Sequence, residues 1–105
     1  MQNNHTYFAL KVEANGTLRK EYPKQVYPFV YQGLELFCYL ASIGQWNTVE
    51  KTTGLPIAIS EFSKIDCTKQ AREKINKDGA IKVINDIKLA RGALSQMNIY
   101  EANDE

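Results

Sequence analysis

Histidine and cysteine are scarce in this chain. His5 is the one histidine, and Cys38 and Cys67 are the two cysteines. A structural zinc site takes four such ligands in a tight spacing, so none is expected here. No Cys–His spacing points to a nucleophile with its base. Glycine-rich phosphate loops are missing as well: neither G-x-x-x-x-G-K-[ST] nor G-x-G-x-x-G occurs. The acidic residues Glu13, Glu21, Glu35, Glu50 and Glu61 stand singly, with no D-x-D pair to hold a metal for hydrolysis. No apolar run approaches the ~20 residues of a membrane helix. The polar start MQNNHT carries no signal-peptide core. These gaps predict a non-enzymatic chain with no cofactor, no metal and no membrane span, resident in the reducing cytoplasm.

What remains suffices for one folded unit. Of 105 residues, 44% are apolar, which argues against wholesale disorder. The reading is a single α+β domain over residues 1–97 and an acidic C-terminal tail over 98–105. The net charge of +1 exerts no global pull on nucleic acid. The charge is nevertheless uneven. Between Ser63 and Arg91, eight basic residues stand against four acidic ones, and Glu101, Asp104 and Glu105 follow in the tail.

The first half reads as strands. Phe8, Leu10 and Val12 alternate with Ala9, Lys11 and Glu13. Asn15-Gly16 then suits a type I′ hairpin turn. In QVYPFVYQGLELFCYLAS, Gln32-Gly33 offers a second two-residue turn. Pairing Tyr31 with Leu34 gathers Tyr27, Phe29, Tyr31, Leu34, Leu36, Cys38 and Leu40 on one face, the expected core beneath the helices. Val26, Pro28, Val30, Glu35, Phe37 and Tyr39 fall on the other. Pro28 has no N–H and argues for an edge strand or a bulge. Farther on, Lys51 to Leu55 suits a three-residue loop with Gly54 in the left-handed position, pairing Val49 with Ile57 and Asn47 with Ile59. That register puts Val49, Leu55, Ile57 and Ile59 in the core and Trp46 on the opposite face. A two-residue turn would bring Trp46 beside Ile57 and Ile59 instead.

The second half reads as helices. Asp66 or Thr68 serves as a first cap, and Ala71 and Ile75 share a face. Asp78-Gly79 ends that helix. Val83, Ile87, Ala90, Leu94 and Met97 then recur at spacings of four and three, with Gly92 placed for close packing. Strands first and helices last predict α+β: an antiparallel β-meander of about five strands followed by two C-terminal helices packed on one face.

One helix pair cannot cover both faces of such a sheet. Val26, Pro28, Phe37, Tyr39 and Trp46 are therefore the candidate partner-binding residues. Exposed, contiguous rings mark interaction surfaces, and an exposed edge pairs with other chains. The expected partner is a protein of host or phage origin, or a second copy of the chain as a homodimer. The alternative is nucleic acid, held by the basic helical segment 64–91, with Lys69, Arg72, Lys74 and Lys77 as the candidate phosphate contacts.

Residues 46–75 carry a further pattern: Trp46 in a strand, Thr53-Gly54 in a turn, Ile57-Ala58 in the next strand, and Thr68-Lys69-Gln70-Ala71 opening a helix. This resembles small phage and prophage accessory proteins. The resemblance implies a non-catalytic protein of a phage or mobile element that binds and blocks a host protein, for example a restriction or CRISPR nuclease. HicB-like antitoxins share the strands-then-helix plan, but their distinctive residues are missing here.

Overall fold

A computed structural model of the chain describes residues 7–42, 44–97 and 99–101. The architecture is α+β. Six strands precede two helices: β1 (Ala9–Val12), β2 (Leu18–Glu21), β3 (Val26–Tyr31), β4 (Leu34–Ser42), β5 (Gln45–Glu50), β6 (Pro56–Glu61), α1 (Lys64–Asp78) and α2 (Ala80–Leu94). A short β7 (Ile99–Glu101) follows. His5 and residues 102–105 of the acidic tail lie outside the described residues. Residues 99–101 of that tail pair in parallel with β2.

The strands form two sheets, ordered β1-β2-β7 and β3-β4-β5-β6. In the larger sheet every neighbour is antiparallel. The β3–β4 hairpin has the predicted register, Tyr31 opposite Leu34, Phe29 opposite Leu36 and Tyr27 opposite Cys38. Gln32 (φ 55°) and Gly33 (φ 82°) are both left-handed, as a type I′ turn requires. The Asn15-Gly16 turn differs from the expected type I′. Gly16 alone has positive φ there. Its N–H donates to the Glu13 carbonyl, and the Asn15 side chain accepts from the N–H and hydroxyl of Thr17. The side-chain bond holds a type I turn with one left-handed residue, so Asn15 need not adopt positive φ.

The β5–β6 connection is one residue longer than expected. The Gly54 N–H donates to the Glu50 carbonyl, and the Glu50 N–H to the Leu55 carbonyl, which leaves a four-residue loop. Glu50 causes this. Its buried carboxylate accepts from the N–H and the hydroxyl of both Thr52 and Thr53, at 2.7–2.9 Å. The register therefore becomes Val49 opposite Pro56 and Thr48 opposite Ala58, with two shifts along the pair. The expected pairing of Val49 with Ile57 is corrected accordingly, and Ile59, expected in the core, is 54% exposed.

Helix α1 starts one turn earlier than predicted from Asp66 or Thr68. Ser63 is the cap, and its hydroxyl accepts from the Asp66 N–H. Gly79, at φ 91°, ends the helix as expected, with its N–H on the Ile75 carbonyl. Ile75, Val83 and Ile87 pack with Leu34 and Leu36 on one face of the larger sheet, and Phe29 and Tyr31 close the margin of this core. Cys67 and Ala71 pack with Cys38 and Ala58 beside it. Gly92 faces open space, so close packing is not its role.

The second face is not bare. Ala9 and Tyr7 lie over Phe37, Tyr39 and Val49, and Val26 and Ala41 complete that cluster. The Leu10 N–H donates to the Gly54 carbonyl, tying β1 to the β5–β6 turn. The chain's own N-terminal hairpin thus covers the face that its helices leave.

Candidate functional site

Strand β3 is an outer strand of the larger sheet, and among the described residues no strand lies on its far side. In a two-residue hairpin the closing pair exchanges both main-chain hydrogen bonds. Counting from Tyr31 and Leu34, Pro28 opposite Phe37 falls at a pair that exchanges none. The residue without an N–H thus turns its missing donor outward, the one orientation in which a sheet loses nothing.

Helix α1 flanks this edge through residues four apart, which share a helix face. Lys64 Nζ sits 3.8 Å from the Tyr27 ring centroid. The Arg72 guanidinium lies 5.7 Å from the Phe29 ring and 5.8 Å from the Tyr31 ring. The Tyr31 hydroxyl donates to Asn76 Oδ1 at 2.8 Å. Between strand and helix runs a groove of about 290 Å³, lined by Tyr27, Pro28, Phe29, Lys64, Ile65, Thr68 and Arg72. Ile65 is 77% and Tyr27 37% exposed, so apolar surface is on offer. No carboxylate lines the groove, and no ion pair among the described residues involves Lys64 or Arg72.

Behind the groove lies a sulfur cluster. The Cys67 thiol sits 3.3 Å from the Trp46 carbonyl and 3.6 Å from the Ala58 carbonyl, and the Thr48 hydroxyl is 3.1 Å from its Sγ. The Cys38 thiol faces the Lys64 carbonyl at 3.9 Å. A hydrogen bond with Cys67 pulls the Cys38 thiol down from 9.0 to about 6. Burial opposes this, while hydrogen bonds with Thr48 and Thr68 and the Lys64 charge assist it. Among the described residues, no group of three or more His, Cys, Asp or Glu side chains is placed to hold a metal ion.

The partner-binding residues expected from sequence are dispersed. Pro28 lines the groove. Val26 is half-buried against the Phe37 cluster. Phe37 is 0% and Tyr39 3% exposed, so the expectation that this face is uncovered is corrected: β1 and Tyr7 seal it. Trp46 is half-buried on the helix side, with its ring centroid 5.9 Å from that of Tyr27, because the β4–β5 register sets it opposite Leu40, in step with Thr48 opposite Cys38. Leu40, expected in the core, is 49% exposed at the far end of β4.

Of the basic set, only Arg72 reaches the groove. Lys74 pairs with Asp78 at 3.7 Å, and Lys69 and Lys77 are exposed. At 100° per residue the four spread over about 200° of the helix circumference and form no single surface. The sequence singles out Lys64 only within the basic segment 64–91 and Thr68 only as a helix cap, and does not mark Ile65, although the four-residue spacing of Lys64, Thr68 and Arg72 was there to be read. It assigned Tyr27 and Phe29 to the covered core, whereas they form its open margin. No protein family, no curated protein and no solved structure matches the chain, so its function has to be read from the groove itself.

Proposed function

We propose that the chain is a small, non-catalytic protein-binding accessory protein that holds an acidic, extended segment of a partner protein along β3. The observation that carries this reading is two cations that have no carboxylate partner among the described residues, set in an aromatic and apolar groove beside an outer strand of the larger sheet. A partner carboxylate beside Lys64 or Arg72 gains charge-assisted hydrogen bonds. Tyr27, Phe29 and Ile65 supply apolar contact. Main-chain groups at Val26 and Val30 remain for strand pairing on either side of Pro28. The likeness to phage and prophage accessory proteins supports a host protein as partner, a defence nuclease being one such target. Lys64 already covers one face of Tyr27, and Trp46 packs tilted against the same ring, which leaves little of it for a stacked base.

The test is fluorescence anisotropy with the whole chain, using a labelled acidic peptide that contains one aromatic residue and, separately, a labelled single-stranded oligonucleotide. The peptide is expected to bind, and the double variant K64E/R72E to weaken it about tenfold or more while remaining folded. Peptide binding that ignores the charge reversal overturns the reading. Oligonucleotide binding alone, falling steeply with salt, replaces it with the nucleic-acid alternative. Self-association that the same variant abolishes makes a second copy the occupant.

A further inference from the structure

Cys38 of β4 and Cys67 of α1 meet between sheet and helix, neither in a disulfide and both with no exposed surface. They are far apart in sequence, yet pack in one buried cluster in the fold. The surroundings are more polar than a structural cysteine needs. Thr48 is the cross-strand neighbour of Cys38, and its hydroxyl reaches Cys67 Sγ at 3.1 Å. Carbonyls of Lys64, Trp46 and Ala58 complete the shell.

We propose that this pair is a redox-modification site, converted by a small hydroperoxide such as hydrogen peroxide into an intramolecular disulfide that joins β4 to α1. Of the two sulfurs, Cys38 is the better nucleophile, since its neighbours favour the thiolate. The Cys38 thiolate attacks a peroxide oxygen, the O–O bond breaks, and hydroxide leaves, giving a sulfenic acid. Cys67 sulfur then attacks Cys38 sulfur. The S–S bond forms, the S–O bond breaks, and the departing oxygen takes the Cys67 proton and leaves as water. The thiols lose two electrons in all, and the peroxide is reduced to water. On this proposal peroxide enters when the first turn of α1, from Lys64 to Cys67, frays as helix ends do. Hydrogen peroxide is small and uncharged enough to use such an opening, whereas a bulky thiol reagent is not.

The experiment treats the reduced, folded chain with hydrogen peroxide, then unfolds and alkylates it and measures the intact mass. The expected product is a monomer about 2 Da lighter that takes up no alkyl group and regains both reactive thiols with dithiothreitol. Two fully alkylated cysteines after treatment overturn the proposal. So does a product in which the sulfurs carry added oxygen, or one cross-linked between molecules. Because the readout uses the unmutated chain, it does not depend on any variant folding.

Discussion

The two faces of the four-stranded sheet are filled by different chemistry. One is sealed by rings: Phe37 and Tyr39, with Tyr7 edge-on to Phe37 at 5.1 Å, and Val49 beside them. The other, under the helices, holds no buried ring among the described residues: small and sulfur-bearing groups, Cys38, Cys67, Ala58 and Ala71 with Thr48 against them, lie beside the aliphatic cluster of Leu34, Leu36, Ile75, Val83 and Ile87. The first face is closed by the chain's own β1. The second opens at its margin, where Tyr27 and Phe29 meet Lys64 and Arg72. Aromatic content alone therefore did not locate the accessible surface. The large rings went where they remove most apolar area from water, and the groove formed where short residues let a helix come close and its long cations reach past the sheet edge.

Three measurements break or sharpen this contrast. The largest effect is expected on the sealed face. Phe37→Ala should cost about 3–5 kcal/mol in urea denaturation, since it empties a fully buried site. A loss near zero would mean that β1 does not close that face in solution. Gly54→Ala should cost about 1–3 kcal/mol by the same assay. Gly54 has φ 72°, and an added Cβ would lie 2.8 Å from the Phe8 ring and 3.0 Å from the Leu10 nitrogen. It tests whether the β5–β6 turn is the seat on which β1 rests. The third measurement concerns the sulfur face. With the Cys38 thiol at about 6 instead of 9.0, the folded chain binds fewer protons than the unfolded chain between those pH values. Stability therefore rises with pH across that window; the contribution is complete above 9.0 and is lost as pH falls through about 6. The urea midpoint of the wild-type chain should accordingly gain on that of C38S between pH 6 and pH 9. Parallel pH profiles would show that Cys38 stays protonated throughout.

The parts of this fold governed by near neighbours were legible in the sequence. Gln32-Gly33 fixed a hairpin register because only a few residue types tolerate two successive left-handed conformations. Asp78-Gly79 ended a helix for a related reason. Two distant effects were not legible. The first is the docking of β1 on the second face, which depends on how the chain turns between Tyr22 and Val26 and leaves no mark in periodicity. The second is Glu50. A glutamate at the end of a strand reads as solvated, yet here its carboxylate is buried in a turn of its own making. That one side chain lengthens the loop and shifts the β5–β6 register to Val49 opposite Pro56. The candidate site was half legible: Pro28 and Arg72 were singled out for separate reasons, and only the fold sets them in one groove.

Both outer strands of the larger sheet are interrupted. Pro28 breaks the donor row of β3, and β6 begins at Pro56 and pairs with two register shifts. Regular, flat edges recruit further copies into an endless ladder, the first step toward fibres. These breaks spoil that template. They also act as a filter, because any strand that docks on β3 must itself be notched to match the gap at Pro28.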